Sequence, residues 1–287
     1  MFGFRNISPD VARLGDLNLY DTSDDEYAQQ RTIVQVIKHP DHKFSKKYHD
    51  IALLRLNESV VFDNIVAPAC LWNDDEIPFQ KLEATGWGAT GFGEEGSEIL
   101  LKVSLSLVDP ERCGKHYLHH RVFRDGFLHD QMCAGDIKMD TCPGDSGGPL
   151  QVNLLHSNRV TPFVVGVTSF GAACGKSVPG VYTKVAPNIP WILSVLNEHG
   201  ANVTDWMFQP HVCAVLNGDF RKIKAYFASE GEPSNQVSIH WDQTDLADSV
   251  DCRAHLRHMF DMKYIQQPEN INTHVHHGYV KLLQDSK

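Results

Sequence analysis

Short apolar runs separated by turn residues mark the first two thirds of this chain. Residues 11–16 predict a strand that leaves a turn. Ile33-Val34-Gln35-Val36-Ile37 predicts another, closed by the breaker Lys38-His39-Pro40. Asp50 opens a near-continuous apolar run over residues 51–56, the pattern of a strand buried on both faces. Much later, residues 190–196 predict a helix with Pro190 in its first turn, where a missing amide proton does no harm. Beyond it the pattern changes. Residues 201–287 are poor in strand patterns and hold two helical stretches, around 219–228 and 246–262.

Composition narrows the classes. A chain of 287 residues has room for one large β domain and a small appendage. Its net charge of −10 argues against nucleic acid as a partner. No apolar run reaches the length of a membrane span, so no membrane partner is expected. The first residues carry Arg5 but no apolar stretch after it, so no signal peptide is visible. Seven cysteines and the sequons at Asn6, Asn57 and Asn202 nonetheless fit an oxidising, extracellular setting, and an odd cysteine count leaves one thiol to be explained.

Residues 139–150, MDTCPGDSGGPL, carry the clearest candidate chemistry. A serine hydroxyl is a weak nucleophile that needs a neighbouring base and donors for the oxyanion it creates. Ser146 sits among glycines that let backbone approach a substrate carbonyl, with the Gly144 and Ser146 amides available as donors. The same letters also spell an ordinary surface turn. Asp50 is either a turn acid or the group that orients a histidine. Asp16, Asp21, Asp24, Asp25 and Glu26 form a loop with no base, readable as a Ca²⁺ site or, the preferred reading, as a solvated acidic loop. His274, His276 and His277 read as a solvated turn rather than a metal site. No cofactor and no metal are expected.

Several motifs together are similar to the trypsin-like serine endopeptidases (peptidase family S1). Besides GDSGGP they are Asp50-Ile51-Ala52-Leu53-Leu54, Thr85-Gly86-Trp87-Gly88, Met132-Cys133-Ala134-Gly135 and the run PGVYTKV at residues 179–185, in the family's order and spacing. The loop at 17–30 and the wording PGDSGGPLQ look most like the arthropod clip-domain proteases. The resemblance implies an all-β, trypsin-like double β-barrel whose first barrel is incomplete, a closing helix, and a partly helical C-terminal extension. It places a protease domain at 1–199 and an extension of unknown fold at 200–287. Parts of the extension, near residues 217–221 and 277–283, faintly resemble ankyrin-repeat helices.

Roles follow from the resemblance residue by residue. Ser146 is the nucleophile and Asp50 the triad acid, Gly144 and Ser146 form the oxyanion hole, and Ser169 supports Asp50 from behind. Asp140 lies at the base of the primary pocket and selects Arg or Lys, with Gly171 and Gly180 as its small walls; these three and Ser169 make up the substrate-binding set. Protein or peptide substrates with Arg or Lys are implied, and an extracellular location. Cys113 pairs with Cys133 and Cys142 with Cys174. Cys70 resembles the cysteine that tethers an upstream segment, with Cys213 or Cys252 as less favoured partners.

One part is missing. The family's histidine precedes its aspartate, in a segment like TAAHC, and this chain has only His39, His42 and His49 before Asp50. None has that context, and strand alternation turns His49 away from Asp50. The expectation is a chain that begins partway through the first barrel, lacks its catalytic base and is silent as written. Asp145, which in relatives pairs with a freed amino terminus, is expected to be a partly buried carboxylate seeking another partner. The alternative is a non-catalytic homologue that binds proteins.

Overall fold

The computed structural model describes residues 8–43, 46–117, 125–156, 159–172, 174–210, 213 and 281–282. Eleven strands are present among them: β1 (Val11–Leu14), β2 (Gln29–Lys38), β3 (Ala52–Leu56), β4 (Cys70–Leu71), β5 (Lys81–Gly86), β6 (Leu101–Val108), β7 (Gln131–Gly135), β8 (Pro149–His156), β9 (Arg159–Phe170), β10 (Gly180–Lys184) and β11 (Lys281–Leu282). Two α-helices join them, α1 (Pro110–Tyr117) and α2 (Ile189–Glu198).

The larger sheet closes on itself. Its order is β10-β7-β6-β5-β8-β9, and β9 pairs with β10 to complete a ring, all antiparallel. Closure leaves no strand edge within the ring unpaired. Strand β4 is added outside the ring, parallel to β9. Leu82 and Ala84, Leu150 and Val152, and Phe163 and Val165 are each two positions apart, so each pair faces the same side and fills the core with Leu105, Met132 and Tyr182. The fold is therefore the one implied by the resemblance, with its second barrel complete.

The first barrel is represented by an open sheet, β11-β1-β2-β3. Ala12, Leu14, Ile33 and Val66 are buried together, packed by Val36, Leu54 and Leu56. This corrects the reading of residues 51–56 as buried on both sides: Ala52 and Arg55 are exposed. An open sheet covers one face: Arg55 points away from Leu54 and Leu56, and Ala52, on their side by alternation, is left uncovered at the start of the strand.

The closing helix α2 starts as predicted, with Pro190 in its first turn, and buries Ile189, Ile192 and Val195. Helix α1 was not anticipated, although its start is written in the sequence. Asp109 accepts from the amides of Glu111 and Arg112 at 2.9 and 3.1 Å, ahead of Pro110. Two residues of the extension are described at its far end, and Lys281–Leu282 form a strand against β1, not the helix suggested there. The other helical stretches of the extension and its three clustered histidines lie outside the described residues.

In the acidic loop, the Arg13 guanidinium from β1 bridges Asp16 and Asp25, supplying from outside the loop the cation that the loop lacks. Among the described residues no helix is long and apolar enough to cross a membrane.

Candidate active site

Two adjacent residues of β9 hold the two halves of the candidate site. Ser169 donates its hydroxyl to Asp50 Oδ2 at 2.6 Å. Thr168, its neighbour, exchanges backbone bonds with the serine loop: Gly147 N donates to Thr168 O, and Thr168 N to Gly148 O, each at 2.9 Å. A second strand grips Asp50 as well, Thr183 of β10 donating its hydroxyl to the Asp50 carbonyl at 3.1 Å. Asp50 and Ser146, 96 positions apart by numbering, are thus both tied to one strand end.

The serine loop is a set of tight turns between β7 and β8. Asp145 N bonds Cys142 O at 3.0 Å, and Gly148 N bonds Asp145 O at 2.9 Å. Gly144 takes φ +105°, where only glycine is comfortable. Ser146 is exposed. Among the described residues its hydroxyl has no hydrogen-bond partner, and neither its amide nor that of Gly144 has an acceptor.

Asp145 takes backbone amides as its other partners. Its Oδ1 accepts from Gly88 N at 2.8 Å and its Oδ2 from Cys142 N at 2.9 Å. The reason lies in the Thr85-Gly86-Trp87-Gly88 motif. A methyl group on Gly86 would sit 2.0 Å from Asp145 Oδ1, and one on Gly88 2.5 Å away. The motif therefore makes room for this carboxylate, a purpose not read from the sequence. No cation is paired with Asp145 among the described residues, and burial raises its pKa above the ordinary carboxylate range. A cavity of about 190 Å³ opens beside it, lined by Gly88, Met139, Asp140 and Cys142 among others.

Asp140 sits on the same loop. Burial is the main cause of its raised pKa, opposed by the amides of Thr141 and Gly175, with the Asp145 charge adding to the rise. Thr141 N donates to Asp140 Oδ1 at 2.8 Å. Nearby, Gly171 and Gly180 face each other closely, since a methyl on Gly171 would lie 3.7 Å from Gly180 Cα. Tyr182, fully buried, closes the wall through Thr141, hydroxyl to hydroxyl at 2.9 Å, and its phenol is pushed up by burial.

The imidazoles are placed elsewhere. His42 is beside Asp50, but its Nδ1 is 4.0 Å from Asp50 Oδ1 and 3.0 Å from the Tyr48 carbonyl, which it serves instead. His49 adopts φ +49° and carries its Nδ1 to 2.9 Å from Asp130 Oδ2, a close contact without hydrogen-bond alignment. His39 stacks on His49 at 4.8 Å and meets Trp191 of α2 at 4.9 Å. Among the described residues no imidazole bonds both Asp50 and Ser146. The cluster of His39, His49, Asp130 and Trp191 near Asp50 was missed by sequence reasoning, because its members come from three segments far apart in the chain.

Of the cysteine pairs, Cys113–Cys133 is bridged as implied, tying α1 to β7. The Cys142–Cys174 bridge is not formed. The fold does bring the two side chains next to each other, as the resemblance implies. Burial, then the neighbouring Cys174, pushes the Cys142 thiol up and keeps it protonated. Cys70 is bridged to Cys213, correcting the expectation of an upstream partner. Among the described residues no group of three or more His, Cys, Asp or Glu converges as a metal site would require.

The sequence profile of the Trypsin family matches residues 5–192. Serine protease snk of Drosophila melanogaster is 41% identical over 187 residues, 64% of this chain and 42% of that protein. CLIP domain-containing serine protease B4 of Anopheles gambiae is 37% identical over 196 residues, 63% of this chain and 52% of that protein. The chain thus spans about half the length, or less, of these curated relatives. Among solved structures, neuropsin, a serine protease expressed in the limbic system of mouse brain, is 30% identical, with a TM-score of 0.56 over 66% of this chain and 81% of that one.

Proposed function

The chain belongs to the trypsin family, and on that footing we propose that its site is the substrate-selecting surface of an endopeptidase directed at Arg and Lys. The observation that carries this is Asp140: a half-buried carboxylate that, among the described residues, receives amide donors only, close to two glycine walls. A neutral side chain in such a slot leaves the charge unpaired, whereas a guanidinium or ammonium pairs it. Ser146 is the nucleophile, the Gly144 and Ser146 amides its oxyanion donors, and Asp50, oriented by Ser169, the acid meant to hold an imidazole. Protein substrates and an extracellular setting, consistent with two disulfides, belong to the same reading.

This polypeptide does not itself supply the proton acceptor. His42 is the imidazole nearest Asp50 among those described and is engaged by the Tyr48 carbonyl. Removing the histidine of a serine-protease triad costs on the order of 10⁶ in turnover, roughly 8–9 kcal/mol of barrier. Residues 1–287 therefore bind cationic side chains but hydrolyse them negligibly. The second reading, a non-catalytic binding homologue, is favoured by that same absence. Retention of Asp50, Asp140 and Ser146 together speaks for the first, since a binding surface has no use for all three.

Calorimetry with benzamidine and turnover of an arginyl p-nitroanilide peptide test the proposal. One-to-one benzamidine binding that disappears in Asp140→Asn is expected, with turnover at background in both the wild type and Ser146→Ala. Turnover near that of an active relative, abolished by Ser146→Ala, would overturn the silent reading. Loss of that turnover in His42→Ala would identify the base. Absence of benzamidine binding would overturn the pocket assignment.

A further inference from the structure

The backbone reverses after the closing helix α2. Gly200 N and Ala201 N end the helix on the Asn197 and Leu196 carbonyls, each at 3.0 Å. Gly200 and Asn202 then both take positive φ, +82° and +45°. Asparagine is one of the few residues with a Cβ that enters this region readily. The Asn197 side chain clasps Val203 twice, Nδ2 donating to its carbonyl at 2.9 Å and Oδ1 accepting from its amide at 2.8 Å. Asn202 is thereby held, exposed, at the tip of a short fixed turn. Thr204, also exposed, precedes the 3-10 turn Asp205–Phe208 and makes no side-chain bond to it. Among the described residues, neither the Asn202 side-chain amide nor the Thr204 hydroxyl has a hydrogen-bond partner.

Asn202-Val203-Thr204 is one of the three sequons of the chain. Asn57 is exposed too, but its Oδ1 accepts from the Thr32 amide at 2.9 Å, which commits that side chain to the β2–β3 pair. Asn6 lies outside the described residues. We propose that Asn202 carries an N-linked glycan. Transfer joins Nδ2 to the anomeric carbon of an oligosaccharide borne on a lipid diphosphate. The bond from that carbon to the diphosphate oxygen breaks, Nδ2 gives up one proton, and the lipid diphosphate leaves, with no change of oxidation state. The acceptor needs a free amide nitrogen, a free hydroxyl two residues on, and room for a bulky polar group. This turn has all three. The glycan stands beside the half-buried Trp206, Met207 and Phe208 and adds polar cover to an apolar turn. The site rests on the extracellular reading proposed above and is independent of whether Ser146 is active.

The full chain, made in cultured mammalian cells behind a cleavable secretory leader, tests it. Peptide-N-glycosidase is applied to the folded protein in heavy-oxygen water, and the digest is analysed by mass spectrometry. Asn202 is expected to appear as a heavy-oxygen-labelled aspartate. Asn202→Gln and Thr204→Ala, the second of which keeps the asparagine, should each lose that label and one glycan step on electrophoresis. In a parallel sample, denaturation in N-ethylmaleimide without reductant reports whether the Cys113–Cys133 bridge has formed. An unlabelled Asn202 in a chain with that bridge would overturn the site. Labelling only after denaturation would overturn the placement of Asn202 at an exposed tip. Alkylation of both Cys113 and Cys133 would bring down the extracellular reading, and the site with it.

Discussion

Ser169 Oγ lies 2.6 Å from Asp50 Oδ2, a hydrogen bond that joins residues 119 positions apart and fixes the carboxylate from the side facing the closed barrel. Thr168, one residue earlier, anchors the loop of Ser146 by two backbone bonds. The geometry of the candidate site therefore depends on a single strand end. Ser169→Ala removes a neutral donor to a charged acceptor in a half-buried setting, worth about 1.5–3 kcal/mol. Urea unfolding of the variant is expected to show a loss in that range with an unchanged m-value. A loss under about 0.5 kcal/mol would assign Asp50 its hold elsewhere.

Gly88→Ala should be worse than an exposed glycine replacement. The new methyl lands 2.5 Å from Asp145 Oδ1, so the carboxylate must move and surrender its bonds to the Gly88 and Cys142 amides. Two charge-assisted bonds lost in a buried setting amount to roughly 3 kcal/mol or more. The check is a double-mutant cycle with Asp145→Ala: the cost of Gly88→Ala should shrink in that background by more than about 1 kcal/mol.

Acid should loosen the histidine cluster near Asp50. Burial, then the neighbouring His49 charge, lowers the His39 pKa; Asp41 and Asp130 oppose this, and His42 adds to it weakly. The unfolded chain thus takes up a proton at His39 before the folded one does. Stability is full above the unfolded value of about 6.5 and declines as pH falls from there toward the lowered folded value. Thermal unfolding between pH 7.5 and 5 is expected to show this slope. His39→Phe, which keeps a ring on His49 and Trp191, should flatten it.

Cation binding should titrate with Asp140. Because burial raises its pKa, the carboxylate begins to take a proton at a higher pH than an exposed aspartate, and a neutral carboxyl does not pair with an amidinium. Benzamidine affinity is expected to fall on acidification from pH 7, starting above the ordinary carboxylate range. Asp140→Asn should bind on the order of 10²–10³-fold more weakly at neutral pH, with that pH dependence removed. An acid-insensitive affinity would mean that another group holds the cation.

Local patterning was enough to place β2 and α2, because hydrophobic period and a first-turn proline are properties of neighbouring residues. The string around Ser146, with Asp50, Asp140 and Ser169, was readable only through the resemblance to a family, since taken alone the same letters spell a surface turn and a turn acid. What lay beyond reach was set by residues far apart in the chain. The single covered face of β3, the room that Gly86 and Gly88 leave for Asp145, and the pairing of His49 with Asp130 all depend on which surfaces meet. So does the choice of Cys213 for Cys70, since a thiol's partner is decided by proximity in space and by burial. Sequence alone determined the chemistry this chain carries; only the tertiary structure decided which groups stand close enough to use it, because contact energies act over a few ångströms while the residues concerned are separated by up to 143 positions.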